Sequence, residues 1–191
     1  MQNRSIRIHT PRGKQRGLTL IETVIALLIG AVIITGAVIG YQVIFGAKGQ
    51  NDAQLLSQAA QCARSTYNNS PDFSGVSVST LAGNGCFPPS NVSGAVGAQT
   101  VKDTNGYSIN AQATTLNSAN DSIAFTISGV PTNVCTQIMA ALAPSASQLT
   151  GGPVGSGTAT TVMPYGGTYN PGAVPTACGA SLNDIIYTIT K

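Results

Sequence analysis

The sequence Gly13-Lys14-Gln15-Arg16-Gly17-Leu18-Thr19-Leu20-Ile21-Glu22 joins a basic N-terminal segment to an apolar run that continues to Ala47. The 30 residues from Leu18 to Ala47 contain one charged side chain, that of Glu22. A helix needs about 20 apolar residues to span a bilayer, so residues 18–47 are long enough. A carboxylate inside such a segment costs roughly several kcal/mol, so it normally marks a functional position that has a partner.

The basic residues are concentrated ahead of this run. Residues 1–17 contain no acidic residue and five of the nine Lys and Arg residues of the chain, namely Arg4, Arg7, Arg12, Lys14 and Arg16. Lys and Arg beside a membrane segment tend to stay on the cytoplasmic side, which predicts that the rest of the chain lies outside. Without residues 1–17, four basic and six acidic side chains remain, a net charge of −2. We therefore expect no nucleic-acid partner.

The remaining sequence has the composition of an exported, loop-rich domain. Only 8% of the 191 residues are charged. The even number of cysteines predicts disulfides, and four cysteines allow three pairings. The four are Cys62, Cys86, Cys135 and Cys178.

The same sequence gives no sign of a catalytic or cofactor site. The only histidine, His9, lies in residues 1–17, so the rest of the chain can form neither a Ser-His-Asp nor a Cys-His catalytic group. No CxxC pair is present, and Asp103 and Asp121 are better explained as turn residues. We expect no enzyme activity, no metal and no cofactor.

Apolar residues recur at helical spacing beyond Lys48, and farther along the chain they alternate with polar or smaller residues. Leu55, Leu56, Ala59, Ala60, Ala63 and Tyr67 form one apolar stripe, which predicts an amphipathic helix over residues 48–67. Alternating residues at 107–113 and 123–127 predict an antiparallel hairpin packed on this helix. A short helix is expected after Pro131, and a final strand within the sheet at 184–190. Residues 68–105 are interpreted as a loop with a short strand near 75–81, and residues 143–175 as a surface loop.

The basic leader, Gly17, Leu18, Thr19 and a glutamate five residues after the glycine resemble the signature of a type IV prepilin. The resemblance implies an α+β, pilin-like fold in which a long N-terminal helix packs on an antiparallel sheet. It divides the chain into a cleaved leader (1–17), a hydrophobic anchor and filament core (18–47), an amphipathic helix (48–67) and a globular head (68–191). It also implies cleavage of the Gly17–Leu18 bond and N-methylation of Leu18 by the same prepilin peptidase.

Three features favour the type IVb group of that family. They are the 17-residue leader, Leu18 in place of the usual Phe, and the length of the segment from Cys135 to Cys178. In pilins a C-terminal disulfide of this kind encloses a variable, exposed region. The resemblance thus favours Cys135–Cys178 and, by order along the chain, Cys62–Cys86.

The implied function is a structural subunit that polymerises into a surface filament for adhesion, aggregation or conjugative contact between cells. Its expected partners are further copies of itself, the prepilin peptidase, the assembly machinery of the inner membrane and an unidentified surface receptor. The protein would lie in the inner membrane before assembly and in an extracellular pilus afterwards. Two alternatives remain: a minor pilin or type II secretion pseudopilin, and a surface adhesin on a plain membrane anchor.

Glu22 provides a direct test of this interpretation. Its carboxylate can pair with the Leu18 amine of the same or a neighbouring subunit and so set a register that apolar packing lacks. Removing one member of a buried ion pair typically costs about 3–5 kcal/mol. We expect Glu22→Ala to give a subunit that is cleaved normally but assembles poorly, measured as filament yield. A normal yield from this variant would remove the proposed role of Glu22.

Overall fold

The computed structural model describes residues 20–191, and for residues 20–23, 26 and 30–47 it describes the backbone alone. The chain divides into two compact units, Met1–Tyr41 and Gln42–Lys191. The second unit contains the sheet and the shorter helices. Its helices and strands show an α+β architecture with an antiparallel sheet, which confirms the predicted fold class.

Helix α1 extends over Leu20–Thr66. Apolar residues recur at helical spacing in its C-terminal part, and six of them are buried: Ala53, Leu55, Leu56, Ala59, Ala60 and Ala63. These side chains belong to one continuous core together with residues of the strands. Helix α1 therefore contributes a face of small side chains to the core of the second unit.

The predicted membrane segment, residues 18–47, lies largely outside the side chains that the structure describes. Across the described residues, no helix combines the length and the apolar character needed to cross a membrane.

Seven strands form one antiparallel sheet in the order β1-β2-β3-β4-β7-β5-β6. The strands are β1 (Val92–Ser93), β2 (Thr100–Lys102), β3 (Ser108–Thr114), β4 (Ser122–Pro131), β5 (Gln148–Pro153), β6 (Thr160–Met163) and β7 (Leu182–Thr190). The predicted hairpin is formed by β3 and β4, with Ala111 opposite Phe125. The C-terminal strand β7 lies between β4 and β5, inside the sheet as expected.

The pairing of β4 with β7 contains a bulge. Ile127 lies opposite Ile185 and Val130 opposite Asn183, so β4 has one residue more than β7 across this interval. Gly129 has φ of +85° there, a conformation that residues with a side chain rarely adopt. The buried Asn183 amide donates to the Val130 carbonyl at 3.3 Å, which satisfies a backbone group at the irregular end of β4.

Three shorter helices complete the fold: α2 (Val78–Gly83), α3 (Thr132–Leu142) and α4 (Val174–Ala177). The apolar face expected on the helix after Pro131 is present in α3, where Val134, Cys135, Ile138, Met139 and Leu142 are buried. The strand expected near residues 75–81 is wrong, because most of this stretch forms α2. Ser77 explains the difference, since its Oγ accepts from the Thr80 N–H at 3.1 Å and caps the helix.

Residues 143–175 do not form the surface loop that their composition predicts, because they include β5 and β6. Strand β5 contributes the buried Leu149 and two buried glycines, Gly151 and Gly152, so it has little of the alternation typical of a strand. A side chain at Gly152 would collide with the Thr158 backbone carbonyl, and one at Gly151 would crowd the backbone carbonyls of Asp184 and Ala177. The glycines that suggest a loop are therefore required by close packing.

The core of the sheet gives a test of this architecture. Ile127 is fully buried, so we expect Ile127→Val to lower the free energy of unfolding by about 0.5–1.5 kcal/mol through loss of one methylene group. Denaturant unfolding of the protein in detergent measures this change. Val96→Ala is the matched control, because Val96 is 90% exposed and its truncation should change stability by about 0.5 kcal/mol or less. Equal effects of the two substitutions would contradict the described core.

Candidate functional site

The residues predicted to be processed lie at the edge of the described chain. Gly17 and Leu18 lie outside the described residues, and so does the side chain of Glu22, although its backbone belongs to α1. Their roles in cleavage, methylation and register remain predictions.

Exposed apolar side chains follow directly after these positions on α1. Between 47% and 74% of the surface of each is exposed: Val24, Ile25, Leu27, Leu28 and Ile29. A contiguous apolar surface of this kind marks a site that lipid or another protein covers. This part of α1 therefore presents an apolar surface for contact outside its own chain.

The first disulfide joins Cys62, near the end of α1, to Cys86 in the following loop, with a Cα–Cα distance of 5.3 Å. It ties residues 68–86 to the helix. Phe73 and Leu81, which lie in this segment, are fully buried. The disulfide and the two side chains together hold this segment, which includes α2, against the core.

The second disulfide joins Cys135 on α3 to Cys178, and both cysteines are fully buried. It encloses strands β5 and β6 and helix α4. Much of the exposed surface of the enclosed segment lies in two loops, residues 154–159 and 164–172. Each loop carries one half-exposed apolar residue, Val154 in the first and Tyr165 in the second. The segment is thus a framework of strands that presents two loops to solvent.

The C-terminus is fixed to the end of α1. Arg64 Nε donates to the Thr190 carbonyl at 2.8 Å, and the Lys191 ammonium group donates to the Ser70 carbonyl. These bonds connect the last residues of the chain to the helix and to the loop that follows it.

Asp121 has the turn role that its sequence position predicts. Its carboxylate accepts from the backbone N–H groups of Leu116, Asn117 and Ser118 at 2.8–2.9 Å. These bonds, that of Leu116 foremost, hold the pKa of Asp121 well below its usual range. The carboxylate therefore organises the β3–β4 turn.

Asp103 also organises a turn, but the structure adds a partner that the sequence analysis did not single out. Asp52 of α1 is 1% exposed, and Asn105 Nδ2 donates to its two carboxylate oxygens at 2.9 and 3.2 Å. Burial, followed by the charge of the nearby Asp103, raises the pKa of Asp52 to about 7. A sequence signal existed, because Asp52 falls on the buried stripe of α1, one turn before Leu56.

The described residues hold no group of three or more His, Cys, Asp and Glu side chains that could bind a metal ion.

Comparisons with known proteins find a known N-terminal motif and a similar fold. Residues 12–38 match the family model described as the prokaryotic N-terminal methylation motif. Among solved structures, the fold is similar to that of the type IVb pilin from Salmonella typhi, with 16% sequence identity and a TM-score of 0.52. The similarity covers 74% of this chain and 97% of that pilin. A search of curated proteins finds no match.

Both disulfides should be required for stability. In the chain-entropy description, cross-links separated by 24 and 43 residues each contribute about 3–4 kcal/mol, the longer loop slightly more. We expect the pair of substitutions Cys62→Ser/Cys86→Ser to lower the free energy of unfolding by this amount, and Cys135→Ser/Cys178→Ser by the same amount or more.

Denaturant unfolding of each oxidised variant measures the loss. Wild-type protein after reduction is the matched control, because it lacks both cross-links without any change of sequence. Wild-type stability in either double variant would show that the corresponding disulfide constrains nothing.

Proposed function

We propose that the chain is a structural subunit of a type IVb pilus. The proposal starts from the resemblance of its N-terminal motif and its fold to those of a type IV pilin. The observation that carries the proposal is the methylation motif, because residues 12–38 include both the Gly17–Leu18 bond and Glu22. The pilin-like fold of the described residues agrees with it. The function is structural, and no catalytic step is assigned to the chain.

Processing is the first proposed step. The prepilin peptidase cleaves the Gly17–Leu18 bond at the cytoplasmic face of the inner membrane, removes residues 1–17 and methylates the new amino group of Leu18. Gly17 suits this reaction because it has no side chain to obstruct approach to the backbone. The five basic residues of the leader keep the bond on the cytoplasmic side.

Assembly is the second proposed step. Subunits leave the bilayer when their apolar helices pack together in the filament, and burial of apolar surface contributes about 25 cal/mol per Å². The exposed apolar side chains between Val24 and Ile29 support this proposal, since they require a covering partner. Such packing is non-directional, so Glu22 is assigned the role of setting the register by pairing with a Leu18 amine.

Contact with other cells or surfaces is the third proposed step. In the assembled pilus, the head would carry the loops 154–159 and 164–172 on a rigid base of β5 and β6. Loops held by a scaffold are the usual place for binding residues. We assign contact with a surface receptor or another pilus to these loops, for adhesion, aggregation or conjugative contact.

The test begins with filaments sheared from producing cells. We expect the main subunit to begin at Leu18 and to have the mass of residues 18–191 with one methyl group in place of a hydrogen, less the four hydrogens lost in two disulfides. N-terminal sequencing and intact mass measurement decide this. Protein that stays with the cells and keeps residues 1–17 would contradict the proposal.

A pair of leader variants isolates the processing step. Gly17→Leu places a bulky side chain beside the bond to be cleaved, and we expect it to leave the leader attached and the cells without filaments. Gly13→Leu makes the same change four residues earlier and should be processed normally. Immunoblots of whole cells and sheared fractions distinguish the two variants.

A further inference from the structure

Two carboxyl groups from different elements meet in the interior of the second unit. Asp52 of α1 is 1% exposed, and Asp103, the first residue after β2, is 5% exposed. Asn105 connects the two carboxyl groups, because its side-chain amide donates to both oxygens of Asp52 and its backbone N–H donates to Asp103 Oδ1. Two ionised carboxylates in contact repel each other, and burial removes the water that would screen them.

The two oxygens of Asp103 differ in their partners. Oδ1 accepts from the backbone N–H groups of Asn105 and Tyr107, at 2.9 and 2.7 Å. Oδ2 is buried and has no hydrogen-bond partner among the described residues. A buried acceptor without a donor is unfavourable, and native structures rarely leave one. Oδ2 of Asp103 therefore lacks a hydrogen-bond donor.

A proton on the Asp52 carboxyl would supply that donor. We propose that Asp52 and Asp103 share one proton, and that this shared proton is a latch that fastens the β2–β3 turn, residues 103–107, to helix α1. When the proton passes to water, both carboxylates are ionised, the bond between them is lost and their repulsion loosens the turn. The latch belongs to the folded subunit and is independent of filament assembly.

Two further ionisable groups act on the pair. Lys48, one turn before Asp52 on α1, favours the ionised form of Asp52, whereas burial and Asp103 oppose it more strongly. Burial, followed by the two carboxylates, raises the pKa of the Tyr107 phenol, so Tyr107 stays neutral in this range. Lys102 is exposed, and helix α3 contains no charged residue.

The direction of the pH effect follows from the raised pKa of Asp52. In the unfolded chain Asp52 ionises near pH 4, whereas in the folded protein it holds its proton until about pH 7. Between these values the folded state binds more protons, so stability falls as the pH rises and levels off above both values. The pKa values of Asp72 and Asp121 are lowered, so those groups finish titrating below this range.

The chain is well suited to direct observation of the pair, because it contains only five aspartates. We would label the full-length protein with ¹³C at the aspartate carboxyl carbon and titrate it in detergent micelles with EDTA from pH 4 to 9. We expect two of the five resonances to move together with a midpoint near 7, and single Asn substitutions to assign them to Asp52 and Asp103. If every aspartate finishes titrating below pH 5, the latch does not exist.

Matched variants test whether the shared proton stabilises the fold. We expect the melting temperature of wild type to fall between pH 5 and 8.5. Asp52→Asn supplies an amide donor at every pH, so it should remove this fall. Asp72→Asn changes an exposed turn carboxylate and should keep the wild-type fall. Persistence of that fall in Asp52→Asn would overturn the proposal.

Hydrogen exchange locates the change. Exchange rates of residues 103–107 are compared between wild type and Asp52→Asn at the same pH, so that the intrinsic pH dependence of exchange cancels. We expect equal protection at pH 5 and about tenfold or greater loss in wild type at pH 8.5, since one pKa unit corresponds to a factor of ten. Equal protection at both pH values would contradict an opening of the turn.

Discussion

The second unit depends on the burial of one face of α1 against the sheet and α3. Leu56, Ala59 and Ala63 are fully buried there, and the short alanine side chains let neighbouring elements approach the helix backbone closely. Alanine also has the highest helix propensity, so these residues favour the helix as well as its close packing. Asp52 lies on the same face, so its buried carboxyl group needs a hydrogen-bond partner inside the protein.

Covalent and polar constraints complement this packing. The Cys62–Cys86 disulfide holds the segment after α1, and the Arg64 guanidinium holds the last strand through the Thr190 carbonyl. The second half of α1 is thus bonded both to the chain that follows it and to the chain that ends the fold. Strand β7 is in turn the neighbour of both β4 and β5, so the C-terminal residues are central to the sheet.

The C-terminal region combines a fixed framework of strands with exposed loops. The Cys135–Cys178 disulfide encloses two strands, and β5 pairs directly with β7. Exposed loops can vary in sequence when the strands that carry them are fixed, because few core contacts depend on loop residues. The residues of these loops can therefore change without a change of the fold.

Much of the molecule could be predicted from sequence patterns. Charge asymmetry, the length of the apolar run and the position of Glu22 after Gly17 suggested the family, which the methylation motif supports. Periodicity predicted the buried stripe of α1 and the β3–β4 hairpin, since both present one apolar face at a regular spacing. These features are local, so each is visible within a short stretch of residues.

The remaining features required the tertiary structure. Strand β5 has too little alternation to be recognised, because Gly151 and Gly152 interrupt its apolar pattern and its partner β7 is distant in sequence. The local sequence of Asp103 is that of a turn residue, and only the fold brings it close to Asp52, which lies 51 residues earlier in the chain. Sequence patterns alone predicted the anchor and the processing signature, and they indicated the main helical and strand faces that the structure contains. Tertiary structure decided which strands pair and which carboxyl groups meet, because burial and pairing depend on residues that are far apart in sequence.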